Sequence, residues 1–366
     1  MIRDFHGLVD LAKKSYRSIG RLNTHRLGLI LQEWRLSLPQ VTPYYAIKSF
    51  PDRDLIRYLG ENLVNFDCAS GGEINLAREI VPEADIIYAN PIKSIDDLRV
   101  AMDQKVDKVV VDSKEEVQKL VDGNFWNIDL VVRIHSDETF SQIKFNSKFG
   151  CNLHEYEEIV DVASRNDYVV RGISFHVGSR CANMMAYTNT LNTIFHNYLP
   201  INDRIDMIDI GGGFSNLLQI KELGEILKLY RNDNILYIAE PGRLFSEHTI
   251  TLFVKVIGVK KKEIAGENVY MVFINDSIYH SFNGKLFDGQ SFSPIPLYGS
   301  SKMVKATIFG QTCDSLDVIC SNIVIPEPSI NDIFMFEGMG AYSLASCYGK
   351  FNDFMPMSLL NDVAMG

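Results

Sequence analysis

A rhythm running from residue 44 to residue 241 constrains this chain more than any other feature. Short β-branched and aromatic runs alternate there with longer polar stretches of helical period. The runs are Tyr44–Lys48, Asn65–Ala69, Asp85–Ala89, Lys108–Asp112, Leu130–Ile134, Gly172–Val177, Asp206–Ile210 and Leu236–Glu240. Between them, Ser70-Gly-Gly-Glu73, Ser94-Ile-Asp-Asp97 and Ser113-Lys-Glu-Glu116 each set a hydroxyl three residues before an acid, the pattern of a capping box at a helix start. Strand then helix, repeated eight times, predicts parallel strands joined by right-handed crossovers. Eight such units close into a (β/α)8 barrel. A doubly wound open sheet, which has fewer strands, is the alternative.

The chain has 366 residues, whereas a barrel of this kind takes about 250. After residue 250 the rhythm changes. Residues 251–259, 268–275, 302–310, 317–326 and 332–338 read as strands separated by Pro- and Gly-bearing turns, with little helical signal. The surplus therefore predicts a C-terminal all-β domain, a barrel or a sandwich. The expected division is a barrel over 24–250 and a β domain over 251–366, with 1–23 packing on the latter as a helix or strand.

Charge and cysteine usage narrow the function. Lys+Arg total 36 against Asp+Glu 46, a net charge of −10. That disfavours nucleic acid and anionic membranes as partners. No run approaches the roughly 20 apolar residues of a membrane span, and the N-terminal residues lack a signal-peptide core. Six cysteines without CxxC spacing argue against a zinc ribbon, another metal site or a disulfide framework, and suit a reducing cytoplasm.

Barrels of this class collect their chemistry at the C-terminal ends of the strands. Six of the eight runs carry polar residues there: Lys48, Asp67, Arg133, His176 with Ser179 just beyond, Gly211-Gly212-Gly213, and Glu240-Pro-Gly-Arg243. Each has a plain structural alternative: a solvated edge lysine, an N-capping aspartate, a hydrogen-bonded core histidine, a tight glycine turn, a surface ion pair. Their coincidence at one end of one barrel favours chemistry. Bare glycine N–H groups opening a helix suit a phosphate, and Arg243 adds a guanidinium. A lysine can form a Schiff base with an aldehyde. An acid facing a ring nitrogen keeps a pyridine protonated as an electron sink, and a histidine can stack on the ring. Together these describe pyridoxal 5'-phosphate.

At this point the chain resembles a known family, the barrel-type pyridoxal-phosphate decarboxylases of alanine-racemase-like fold, and within them the ornithine decarboxylase group. The resemblance covers nearly the whole chain. It rests on Tyr44-Tyr-Ala-Ile-Lys48, Asn65-Phe-Asp-Cys-Ala-Ser70, Phe175-His-Val-Gly-Ser179, Asp209-Ile-Gly-Gly-Gly213, Ala239-Glu-Pro-Gly-Arg243, Gly310-Gln-Thr-Cys-Asp-Ser-Leu-Asp317 and Gly340-Ala-Tyr342. It implies that Lys48 holds the cofactor as a Schiff base, that Glu240 pairs with the ring nitrogen and that His176 stacks on the ring. Ser179, Gly211, Gly212, Gly213, Arg243 and Tyr342 would hold the phosphate, with Asp67 and Arg133 forming a polar wall. Cys313 would manage protonation after CO2 departs, and Asp288 and Asp314 would bind the distal amine of a basic amino acid. In this family Cys313 and Asp314 serve the neighbouring subunit, so a homodimer with shared sites is implied.

The implied reaction is decarboxylation of L-ornithine to putrescine in polyamine biosynthesis. Lysine, arginine, diaminopimelate and carboxynorspermidine are alternative substrates. Cys313-Asp314, rather than Cys-Glu, disfavours diaminopimelate, and Asp288, rather than Glu, favours ornithine over arginine. A racemase is disfavoured by Glu240. A catalytically dead regulatory relative would have lost site residues that are all present here. Departures from the family pattern are Arg180, Gln311, Ser49-Phe50, Phe287 and a one-residue insertion before Phe351. They put substrate and rate in question more than reaction type.

Overall fold

A computed structural model describes residues 5–264, 266–349 and 351–361. Residues 1–4 of the expected N-terminal segment, the end of the expected β domain at 362–366, and Lys350 in the insertion lie outside the described residues. The chain divides into two compact units, one formed by residues 28–245 and the other by 1–27 with 246–366.

The chain enters through helix α1 (Phe5–Lys14), strand β1 (Ile19–Leu22) and helix α2 (Thr24–Ser37). Eight parallel strands then close a barrel: β2 (Val41–Ala46), β3 (Asn65–Cys68), β4 (Ile86–Tyr88), β5 (Lys108–Val111), β6 (Asp129–Arg133), β8 (Val169–Ser174), β10 (Met207–Asp209) and β11 (Leu236–Ala239). β11 pairs back onto β2 and leaves no barrel edge. Two short strands outside it, β7 (Ser141–Ile143) and β9 (Ser179–Cys181), pair antiparallel.

Helices follow the barrel strands: α3 (Arg53–Glu61), α4 (Gly71–Ile80), α5 (Ile95–Asp103), α6 (Lys114–Asp122), α7 (Leu153–Arg165), α8 (Met185–Thr193), α9 (Leu217–Lys228) and α10 (Arg243–Ser246). Ser70, Ser94 and Ser113 do cap α4, α5 and α6, each accepting the N–H of the acid three residues on. The reciprocal half of a capping box is not made at Ser70, because Glu73 Oε2 accepts the N–H of Ala69 instead, at 2.7 Å. The complete box stands at Asn152–Glu155, where α7 begins. The eighth unit is also shorter than expected, since α10 is a single turn. Trp34 of α2 packs on Phe214 and Phe245 at 5.8 and 5.5 Å between ring centres.

The barrel interior is filled rather than hollow. Tyr44, Ile87, Val110, Val131, Met207 and Ile238, from six strands, form one buried cluster with Ala89. Gly172 pairs with Val131 on one side and Met207 on the other. A Cβ there would stand 2.8 Å from the Met207 methyl, so the missing side chain makes room for its larger neighbours. Each fully buried apolar side chain of this size stabilises the fold by about 1.5–3 kcal/mol. Lys93 is buried between strand and helix. Its ammonium donates to the carbonyls of Val110, Pro91 and Asn90 at 2.6, 2.9 and 3.0 Å and lies 3.6 Å from Glu116.

The second unit is built on β12 (Ile250–Ile264), β13 (Glu267–Ile274), β14 (Ile295–Pro296), β15 (Met303–Phe309), β16 (Val318–Pro326), β17 (Ile333–Phe336) and β18 (Ser358–Asn361), with the one-turn helix α11 (Gly284–Phe287). With β1 they make a connected eight-stranded sheet whose path runs β14-β17-β12-β13-β15-β16, so it ends in edges rather than closing. The first part of β12 pairs with β1 and β17, and its later part with β13. β1 lies between β12 and β18, antiparallel to the first and parallel to the second. Ser18, just before β1, donates its hydroxyl to Asp276 at 2.5 Å across 258 residues of sequence. Leu8, Ala12, Ile19, Phe253 and Ile333 form the buried cluster beneath α1. Among the described residues no helix is long and apolar enough to cross a membrane.

Candidate active site

Asp67 and Arg133 lie on their strands, β3 and β6, whereas three of the other polar residues expected at the strand ends sit slightly beyond them. Lys48 lies on a 3-10 turn (Ile47–Ser49) after β2, not on the strand. His176 stands two residues past β8, and Glu240 one past β11. Inter-strand contact does not end with the strands, since the Glu240 N–H still donates to Gly211 O at 2.8 Å.

Within the barrel unit these residues converge. Lys48 Nζ lies 3.4 Å from Asp67 Oδ2. Asp67, beside Ala46 in the β2–β3 register, is buried, and its Oδ1 has no hydrogen-bond partner among the described residues. Burial pushes the Asp67 carboxyl up, while the charges of Lys48 and Arg133 pull it down. Arg133 ends β6, with its guanidinium 5.2 Å from the centre of the Phe149 ring and 6.0 Å from that of Phe145. Its own proton affinity is lowered by burial and restored in part by Glu240, Asp112 and Asp209.

His176 accepts the Gly178 N–H on Nδ1 at 3.0 Å. A ring nitrogen that accepts cannot carry a proton, so the ring is neutral with its hydrogen on Nε2. Burial, with Arg133 and Lys48 nearby, holds it well below the usual histidine range. Phe145 meets the imidazole edge-on at 4.9 Å, which fixes its plane.

The three glycines after β10 pack without room for side chains. A Cβ on Gly212 would stand 2.7 Å from the Glu240 carbonyl and 3.2 Å from His176 Nε2. Gly213, at φ +116°, would bring a Cβ to 2.5 Å from Gly178 O. The Gly211 N–H already donates to Asp209 Oδ1 at 2.8 Å, so the loop's remaining amides are those of Gly212 and Gly213. Tyr187 holds the loop from behind, donating to Gly212 O at 2.7 Å. Arg243 is buried and donates to Ser179 Oγ at 3.4 Å. Gly242 brings the Glu240–Arg243 turn against the lysine turn, since a Cβ there would lie 3.1 Å from Ser49 Cβ.

Pyridoxal phosphate fits this set. A close-packed glycine loop beside a serine and a buried arginine suits its phosphate. An exposed lysine amine suits its aldehyde, and a neutral imidazole with flanking carboxyls suits its ring. The bare oxygen of Asp67 is a buried acceptor in want of a donor.

Asp209 carries the same signature as these residues, a carboxylate ending an apolar run, although the sequence pattern marks it only as part of the glycine motif.

In the β unit, Asp288 is the C-cap residue just after α11, buried, and accepts a hydrogen bond from Gln290 Nε2 at 2.9 Å. Gln290 also reaches the Ala341 carbonyl at 3.3 Å, next to Tyr342, which holds a left-handed φ of +54°. Cys313 is exposed, and its N–H donates to Asn352 Oδ1 at 3.2 Å. Asp314 accepts the Leu316 N–H at 3.0 Å and the Tyr279 hydroxyl, and both hold its carboxyl below the usual range. Tyr279 is stacked on Phe351 with ring centres 4.1 Å apart. Buried Asp317 anchors the loop, accepting Thr312 N–H, Thr312 hydroxyl and Ile278 N–H at 3.0, 2.6 and 3.0 Å.

Comparison with known proteins gives a consistent picture. A family model described as the pyridoxal-binding domain of pyridoxal-dependent decarboxylases matches residues 27–247. A probable ornithine decarboxylase of Dictyostelium discoideum is 34% identical over 358 residues, covering 90% of this chain and 77% of the relative. Antizyme inhibitor 2 of Xenopus laevis is 33% identical over 350 residues, covering 87% of this chain and 75% of its own. The crystal structure of an arginine decarboxylase of Paramecium bursaria Chlorella virus superposes with a TM-score of 0.90 at 30% identity, over 99% of this chain and 100% of the other.

Proposed function

Because the chain belongs to the pyridoxal-dependent decarboxylase family, we propose that it removes the α-carboxylate of a basic amino acid, L-ornithine foremost, yielding putrescine and CO2. The observation that carries this reading is the convergence of Lys48, Asp67, His176, Glu240 and Arg243 around one glycine cradle. When bound, the cofactor supplies an electron-withdrawing ring that accepts the electron pair left by departing CO2.

The chain's residues do the rest. Lys48 offers its amine beside the Asp67 carboxylate. Ser179, Gly212, Gly213, Arg243 and Tyr342 bind the phosphate, and Arg133 balances the carboxyls around it. Neutral His176 presents an uncharged face, which avoids repelling a cationic ring. Glu240 faces the ring nitrogen. Asp288 and Asp314 receive the substrate's terminal ammonium, each charged hydrogen bond contributing about 1.5–3 kcal/mol. Cys313 delivers the proton to the substrate carbon.

Cys313 and Asp314 act on the site of a partner subunit in this reading, so the working form is a homodimer. We place it in the cytoplasm, where an exposed free thiol such as Cys313 stays reduced.

Decarboxylation assays across ornithine, lysine, arginine and diaminopimelate, with product identification, test the substrate. Turnover of another amino acid without CO2 from ornithine removes the ornithine assignment. A second reading, a non-catalytic binding protein, draws on the similarity to antizyme inhibitor 2. The full complement of Lys48, Asp67, His176, Glu240, Arg243, Cys313 and Asp314 speaks against it. A visible cofactor absorbance band that disappears in Lys48→Ala supports the enzyme; no band after adding cofactor supports the binding protein.

A further inference from the structure

Asp209 ends β10, separated from the glycines by Ile210, with 1% of its surface exposed. Its Oδ1 takes the Gly211 N–H. Its Oδ2 is sealed from water, and no N–H or O–H donor among the described residues reaches it. A bare carboxylate oxygen in such a place is costly unless a proton meets it. Asp209 pairs with Ile238 of β11, and Glu240 lies two residues on, so it leaves the strand toward the same face. The Glu240 N–H donates to Gly211 O at 2.8 Å, which fixes its backbone against the same loop. Each of the two carboxyls acts on the other's proton affinity. Two carboxyl groups can hydrogen-bond only with a proton between them.

We propose that Asp209 is a positioning residue for Glu240, holding the glutamate carboxyl and one shared proton at the place where the cofactor's ring nitrogen stands. This rests on the cofactor assignment made above. Asp209 keeps a negative charge behind Glu240, so a proton lying between Glu240 and a ring base is retained there. Asp67 on β3 adds negative charge, and Lys48 and Arg133 oppose it. Tyr44 on β2 and Tyr187 on α8 stay neutral, their phenols pushed up by burial and by Asp209 itself. The titration behaviour agrees, since burial raises Asp209 to about 7 and Glu240 well above the carboxylate range.

Two measurements test this on the full chain. In the cofactor-free protein, infrared spectroscopy is expected to show a protonated-carboxyl C=O band at neutral pH that Glu240→Gln removes. A spectrum in which Glu240→Gln removes no such band overturns the proposal, whether or not any Asp209 variant folds. In the holoprotein, nitrogen NMR of an isotope-labelled cofactor reads ring protonation against pH. Asp209→Asn is expected to lower the apparent pKa of the ring by about one unit or more. It is also expected to cut kcat roughly tenfold with KM little changed. An unmoved ring titration, even with lowered stability, overturns the proposal. The infrared result involves no substrate and no cofactor, so it stands apart from the outcome of the amino-acid panel.

Discussion

Lys48 Nζ stands 3.4 Å from Asp67 Oδ2, an amine with 45% of its side chain exposed against a carboxylate with 1%. The asymmetry matters. The lysine is open to an incoming aldehyde, whereas the acid that steadies it is fixed. Replacing Asp67 by Asn removes the charge and keeps the shape. We expect cofactor affinity to fall about five- to tenfold, the weight of roughly 1 kcal/mol for one long charged contact. Titration of the apoprotein with cofactor, followed by absorbance, measures it.

Cys313 is exposed, and its backbone N–H donates to Asn352 Oδ1. Cys313→Ala should leave the melting temperature nearly unchanged. It should slow or misdirect product formation by roughly a hundredfold, the scale of one lost acid–base group. Equal stability with an unchanged rate and product profile removes Cys313 from the protonation step.

Asp314 is held anionic by Tyr279 and the Leu316 N–H. Asp314→Asn should raise KM for the diamino acid roughly tenfold or more. Tyr279→Phe should have a smaller effect of the same sign, because the carboxylate stays but loses one donor. A KM rise in neither variant contradicts the substrate role.

Lys93 gives a pH dependence unrelated to catalysis. Burial lowers its pKa to about 8 in the folded chain, from 10.5. Between those values the unfolded chain binds a proton that the folded chain has lost, so this group makes stability rise as pH increases from about 8 to 10.5. Lys93→Met should abolish that contribution, seen as a difference in slope between denaturation midpoints of the two proteins. It should also cost about 1–3 kcal/mol at neutral pH by leaving the Val110, Pro91 and Asn90 carbonyls without their donor, whereas Glu116 keeps its ion pair with Lys119.

Gly213→Ala would place a Cβ 2.5 Å from the Gly178 carbonyl at a φ of +116°. We expect destabilisation of roughly 1–3 kcal/mol from the backbone alone. Cofactor retention should fall further, as the loop moves off its anion. Equilibrium dialysis against thermal unfolding separates the two effects.

Much of this molecule was legible in its sequence, for identifiable reasons. Val109-Val110-Val111 and Leu130-Val131-Val132 announce buried strands because a parallel sheet covered on both faces asks for continuous apolar runs. Ser70, Ser94 and Ser113 announce helix starts because a hydroxyl is what an orphan N–H needs. The strand ends were misread by one to three residues at Lys48, His176 and Glu240. Residue type there tracks chemistry, while hydrogen-bond pairing decides where a strand stops. β7 and β9 escaped notice because Ser141-Gln-Ile143 and Ser179-Arg-Cys181 are short, polar and far apart in sequence. Asp209 escaped because its partner, Glu240, comes from the next strand, and proximity across a barrel leaves no trace in local pattern.

The placement of β1 carries a consequence for biosynthesis. A ribosome releases this strand long before either β12 or β18, the two neighbours between which it lies. Ser18 must likewise wait for an aspartate 258 residues downstream. β1 therefore emerges with both strand edges bare, while the whole barrel is translated and can fold. β1 is completed only once both later neighbours exist, and that interval is when a chaperone would have the most to shield.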